Sequence, residues 1–130
     1  MKKAFITLLL LIPMLLFGQT DVDSLFQVFE HSSGSRQTAA ANQLIDQFAE
    51  EDLYDWPVPA HKFYDRKFSE MLVYLGMGLQ KLESSHFAEA AALGQTAERC
   101  APKDSLRWLS SCYELLNVSY FRQCEFAKAM

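Results

Sequence analysis

Apolar residues recur at helical intervals along most of the chain. Val22, Leu25, Phe26 and Phe29 stand at i, i+3, i+4 and i+7 behind Asp21, a side chain suited to capping, and Ser32-Ser33-Gly34-Ser35 closes the stretch with a glycine. Ala41, Leu44, Ile45 and Phe48 repeat the spacing, which predicts a second helix over 36–51 and a helical hairpin over 20–52. The period breaks over 53–61, where Pro57 and Pro59 lack backbone donors and hold Trp56 and Val58 extended. This stretch reads as a linker whose aromatics, Tyr54 and Trp56, pack over the end of a helix pair, with a binding surface as the alternative. From Lys62 the period resumes with Tyr64, Phe68, Met71, Leu72, Leu75, Leu79 and Leu82, a long helix reaching Glu83. Ser84-Ser85 is a turn. Phe87, Ala90, Ala91, Gly94 and Ala97 then form the narrow small-residue stripe of a fourth helix that ends before Pro102. A fifth begins near Asp104, capped within Lys103-Asp104-Ser105, and carries Leu106, Leu109, Tyr113, Leu116 and Tyr120. No run sustains period-two alternation, so the expected fold class is all-α.

The first twenty residues obey a different rule. Lys2 and Lys3 precede an apolar run from Ala4 to Phe17, and Gly18-Gln19-Thr20 returns the chain to polar sequence. Charged, apolar and small residues in that order make a secretory signal peptide over 1–19, cut near Gly18 or Gln19. The run is shorter than the roughly 20 residues of a spanning helix, and Pro13 interrupts it. No cysteine follows it as a lipoprotein acceptor. The expected destination is therefore export, to the periplasm of a bacterium. Losing the two lysines takes the formal charge from −4 to −6, and the remaining basic residues are scattered. A face that displaces counterions from phosphates needs them clustered, so no nucleic acid is expected as a partner. With 50% of its residues hydrophobic, the chain carries too much apolar surface to stay disordered.

Candidate chemistry is sparse. Cys100, Cys112 and Cys124 make an odd count for an oxidising compartment. On one helix Cys112 and Cys124 stand about 18 Å apart, beyond the roughly 7 Å a disulfide spans. Burial as small hydrophobes is the expectation, with a bridge from Cys100 to one of the others as the alternative. Their spacing matches no zinc pattern, and no histidine is near in sequence. His31, His61 and His86 fall on different elements, and there is no glycine-rich phosphate loop or nucleophile elbow. No catalytic residue, cofactor or metal is expected. Asn117-Val118-Ser119 spells a glycosylation sequon, but it lies inside a predicted helix of a bacterial-looking exported chain.

Helix, short turn, helix is the form of a repeat, and two stretches share a register. Tyr113-x2-Leu116-Asn117-x2-Tyr120 has the spacing W-x2-L-G-x2-Y, and Cys124, Phe126 and Ala129 follow where a turn and second helix begin. Upstream, Tyr74-x2-Met77-Gly78-x2-Lys81 leads to Phe87, Ala90, Ala97 and Pro102, matching a second-helix aromatic, two small packing residues and a closing proline. Small side chains at Ala90 and Ala97 let two helices approach closely. On these residues the chain resembles the tetratricopeptide repeat (TPR) family, with a repeat-packing set of Tyr74, Gly78, Phe87, Ala90, Ala97, Pro102, Tyr113, Leu116, Tyr120, Phe126 and Ala129. The resemblance implies hairpins stacked as a TPR-like α-solenoid over 62–130, the last repeat truncated. Departures are visible: Phe87 and Phe126 are separated by more than the usual repeat of about 34 residues, Lys81 takes an aromatic's place, and Gly94 a bulky residue's. A register moved by two, onto Leu75-Gly76, is also open.

A repeat array needs about three repeats and a polar cap, so the resemblance further implies an amino-terminal fragment of a longer protein. In TPR arrays the first helices line an inner face that grips a peptide or partner helix. By that register Glu114, Val118, Phe121 and Arg122 face inward, with simple packing or solvation as the competing assignment. The whole order of leader, hairpin, proline linker and repeat resembles the exported TPR region of bacterial membrane-spanning regulators, in which a histidine kinase or an AraC-type helix-turn-helix domain follows a transmembrane helix. The implied partner is a protein or peptide, with the membrane reached only through the leader or downstream sequence. A free periplasmic scaffold or assembly factor would carry the same repeats.

Overall fold

The computed structural model describes residues 18–58 and 66–129, with the side chains of 18–21, 126, 128 and 129 outside that description. Among the described residues stand five α-helices: α1 (Gly18–His31), α2 (Gly34–Glu50), α3 (Arg66–Glu83), α4 (Phe87–Cys100) and α5 (Leu106–Ala129). No strand occurs among the described residues, and the all-α expectation is met. The expected leader lies outside them except for Gly18 and Gln19, which stand in the first turn of α1. Asp21, expected as a cap, therefore sits inside that helix. The expected helix start at Lys62 and the end of the linker likewise fall outside the described residues.

Two compact units divide the chain, 1–44 and 45–130, and the boundary falls within α2. In the first unit, Val22 and Phe29 of α1 and Ala40, Ala41 and Leu44 of α2 are buried. Phe26 and Phe29 stack at 6.2 Å between ring centroids. The link between the helices is only Ser32 and Ser33, followed by Gly34 with φ +66°. That left-handed conformation is open to glycine without steric cost and starts α2 two residues earlier than the apolar pattern suggests. Gln37 reaches back from α2, its amide donating to the Phe29 carbonyl at 2.9 Å. That carbonyl belongs to the last turn of α1, where no intrahelical donor remains for it.

In the second unit α4 packs against both α3 and α5, and α3 also meets α5. Lys81, near the end of α3, pairs with Glu89, near the start of α4, while Glu70 and Cys100 meet at the opposite ends, so the two helices are antiparallel. Gln95 meets Tyr120 and Glu98 meets Tyr113, which gives α4 and α5 the same relation, and α3 and α5 run in one direction. The buried apolar set, including Leu72, Leu75 and Met77 on α3, Ala90 and Ala97 on α4, and Trp108 and Leu115 on α5, is the core. Each large member contributes about 1.5–3 kcal/mol relative to exposure.

The loops are closed by backbone geometry more than by side-chain caps. After α2, Leu53 N–H donates to Phe48 O and Asp52 N–H to Ala49 O, both at 3.1 Å, with Asp52 at φ 59°. After α3, His86 N–H donates to Lys81 O at 2.9 Å and Ser85 N–H to Leu82 O at 3.1 Å, with Ser85 at φ 65°. Both are Schellman closures whose left-handed residue is usually glycine. At the start of α5 the Ser105 carbonyl accepts the first helical bond, from Leu109 N–H at 3.0 Å, within one residue of the expected start.

Of the two linker aromatics, Tyr54 packs inward and Trp56 does not. Tyr54 is buried, and its hydroxyl donates to the Leu72 carbonyl at 2.7 Å. Its ring meets Phe48 edge-on at 6.3 Å and Trp108 at 5.8 Å, and Trp108 meets Phe68 at 5.7 Å. Trp56 is partly exposed, with the Arg107 guanidinium 5.1 Å above its ring.

One expectation fails. The turn expected after Tyr120 does not form, and α5 continues unbroken to Ala129. No glycine or proline interrupts 121–129, and Arg122 and Glu125 pair at i, i+3 across the place where the turn was expected. Phe126 and Ala129, assigned to a second helix, lie instead in the last turns of α5.

Candidate functional site

The meeting of α3, α4 and α5 explains the glycines. A Cβ on Gly78 would stand 2.6 Å from Leu115 Cδ2 and 3.4 Å from the Ala90 carbonyl oxygen. One on Gly94 would stand 3.1 Å from Leu116 Cδ2 and 3.3 Å from Leu115 Cδ2. Leu115 is therefore lodged between a glycine of α3 and a glycine of α4. The bulky residue missing at Gly94 is supplied from α5, and Ala90 and Ala97 are fully buried, as close helix approach requires. Gly76 faces elsewhere: a Cβ there would meet the Phe48 ring, 2.7 Å from Cε2.

With Leu115 drawn inward, α3 and α5 leave between them an open groove of about 100 Å³. Leu75, Leu79 and Leu82 form one wall, Ser111, Glu114, Leu115 and Val118 the other, and Asp55 of the linker also lines it. Two of the four residues expected on an inner face, Glu114 and Val118, line it. Phe121 and Arg122 do not: Phe121 is 62% exposed, and Arg122 pairs with Glu125 at 3.1 Å. Three steps of roughly 100° leave Phe121 only about 60° round α5 from Val118, so the two are neighbours on the helix and differ in exposure, not in helix face. The groove residues not foreseen as a site were Asp55, Leu75, Leu79, Leu82, Ser111 and Leu115. The three leucines of α3 carried a signal, their i, i+4, i+7 spacing, but it reads equally as core.

The other repeat-packing residues are placed unevenly. Leu116 is buried, whereas Tyr74, Phe87 and Pro102 are half-buried. Tyr113 and Tyr120 are 49% and 44% exposed and use their hydroxyls on α4. Gln95 Nε2 donates to the Tyr120 hydroxyl at 2.6 Å. Tyr113 hydrogen-bonds Glu98, and that bond with the carboxylate's charge raises its pKa. Lys81, in an aromatic's place, pairs with Glu89 at 3.5 Å.

All three cysteines are free: Cys112 buried, Cys100 partly buried and Cys124 exposed. Burial, then the charges of Glu98 and Cys100, push the Cys112 thiol up to about 12. Cys100 is also raised, by burial and by Glu70, whose carboxylate lies 3.8 Å from its sulfur. Thiols held protonated are weak nucleophiles. Among the described residues no group of histidine, cysteine, aspartate or glutamate is arranged to hold a metal, and no helix is long and apolar enough to cross a membrane. No protein-family model, curated protein or solved structure matches this chain.

Proposed function

We propose that this chain is an exported protein-interaction module of the helical-repeat kind, similar to the TPR regions that precede the membrane in bacterial signalling and transcription regulators, and that it holds its partner between α3 and α5. The observation that carries the reading is the leucine-walled groove formed by two helices running in one direction, with α4 packed on both. In the repeat register those two helices take the first-helix places of successive repeats, the position that such arrays use for peptides, although α5 runs on to Ala129 without the turn that would close its own hairpin. The buried Ala90 and Ala97 and the close approach of Gly78 to Ala90 support the same register.

The test is site-specific cross-linking in the native host, with a photoreactive side chain placed in the full chain at Val118 or, as a control, at exposed Glu50. A discrete protein adduct at Val118, absent at Glu50 and lost when Leu79 is changed to serine, is the expected result. No adduct at Val118, or the same adduct at both positions, would overturn the reading. Fractionating the same cells places the chain inside or outside the inner membrane, and a wholly cytoplasmic chain would refute the export part.

A further inference from the structure

The groove joins an aliphatic floor to an acidic lip. Its volume of about 100 Å³ is less than the roughly 150 Å³ of a cavity that takes a benzene ring, so it suits a branched or straight aliphatic side chain better than an aromatic one. Asp55 and Glu114 are both exposed at its edge. Neither takes part in an ion pair among the described residues. The arginines of α5 are engaged elsewhere, Arg107 over the Trp56 ring at 5.1 Å and Arg122 with Glu125 at 3.1 Å. Two unneutralised carboxylates beside an apolar groove, in a chain of net charge −4, attract cations and repel acidic segments.

We infer that the groove takes a cationic amphipathic peptide segment, seating one aliphatic side chain between Leu79 and Val118 while a lysine or arginine about one helical turn away meets Glu114 and Asp55. The inference rests on the groove being the partner face and adds to it the charge and side-chain class of the partner. Complementary charge here governs choice and rate of encounter, and the aliphatic contact supplies the hold.

Fluorescence anisotropy with the full chain and three labelled short helical peptides tests it. One has leucines on a single face flanked by lysines, the second replaces the lysines with glutamates, and the third keeps the lysines but replaces the leucines with serines. The leucine–lysine peptide is expected to bind, with each of the others at least about tenfold weaker. Added salt weakens its binding. Glu114→Gln and Asp55→Asn each weaken it by up to about fivefold, the size of an exposed ion pair. Equal binding of the lysine and glutamate peptides, or of the leucine and serine peptides, overturns the inference, as does the absence of binding by all three. Leu79→Ser separates the two readings, with the half-buried Val118→Ser as a second variant if the first fails to fold. Should either variant abolish binding of lysine and glutamate peptides alike, the groove stands and its charge preference falls. Binding that neither variant alters removes the groove itself.

Discussion

The two sides of α5 are built from similar residues and meet opposite fates. One side carries Trp108, Cys112, Leu115, Leu116 and Ser119, all buried. The other carries Leu106, Tyr113, Tyr120 and Phe121, between 44% and 77% exposed. Residue type does not separate them, since a serine is buried on the first side and a leucine is the most exposed on the second. The difference is the neighbour: α3 and α4 present glycines and alanines that admit side chains from α5, whereas on the opposite side α4 reaches only the hydroxyls of Tyr113 and Tyr120. Burial on this helix follows what stands against it, and that belongs to the tertiary level.

The largest break in the comparison comes from the buried side. Leu115→Ala removes the side chain lodged between Gly78 and Gly94 and should cost roughly 2–5 kcal/mol in denaturant unfolding, because glycines cannot extend to refill the space. A loss below about 1 kcal/mol would show that the junction collapses freely and that the tight fit around Leu115 is not a source of stability.

Next is pH. The folded state holds the Cys112 proton more tightly than the unfolded state, whose thiol titrates near its ordinary value of 9.0. The unfolded chain therefore binds fewer protons above that value, and stability is complete below pH 9 and falls as pH rises toward 12. Tyr54, raised by burial, adds to the fall above its ordinary 10.0. Cys112→Ala should flatten the slope between these limits, read as unfolding midpoint against pH. An unchanged slope would assign the loss to other groups.

A smaller effect of opposite sign is expected at Ser119. Its hydroxyl is fully buried with no hydrogen-bond partner, so Ser119→Ala should raise stability by about 1 kcal/mol by removing an unsatisfied polar atom and favouring helix. A destabilised variant would reveal a partner for that hydroxyl. The smallest effect lies on the exposed side: Phe121→Ser should change the stability of the isolated chain by no more than about 0.5 kcal/mol. A larger loss in dilute solution would show that this side is covered after all.

How far these outcomes were readable before folding differs by level. The helices of 36–51 and 87–101 were legible because periodicity and breakers act within a few residues. Ala90 and Ala97 were legible as packing positions because their size has a single geometric use. Asp52 and Ser85 gave no sign of left-handed backbone, since neither is glycine and the closures depend on bonds five residues apart. The continuity of α5 past Tyr120 was obscured by a register that expected a turn, although the local sequence offered no breaker. At the groove, Glu114 and Val118 line the wall, while Phe121 and Arg122, one turn further along α5, fall outside its lining.

From the sequence alone came the helix class, the order of elements, the proline linker and the small-residue approach of α3 and α4. These are local properties: which dihedrals a residue accepts, which neighbours share its helix face. Only the tertiary structure decided that Leu115 enters between two glycines, that Tyr54 hydrogen-bonds Leu72, that a groove opens between α3 and α5, and that Leu106, Tyr113, Tyr120 and Phe121 of α5 remain exposed. Each of those depends on a second element arriving at a particular distance, because apolar area leaves water only where another surface covers it.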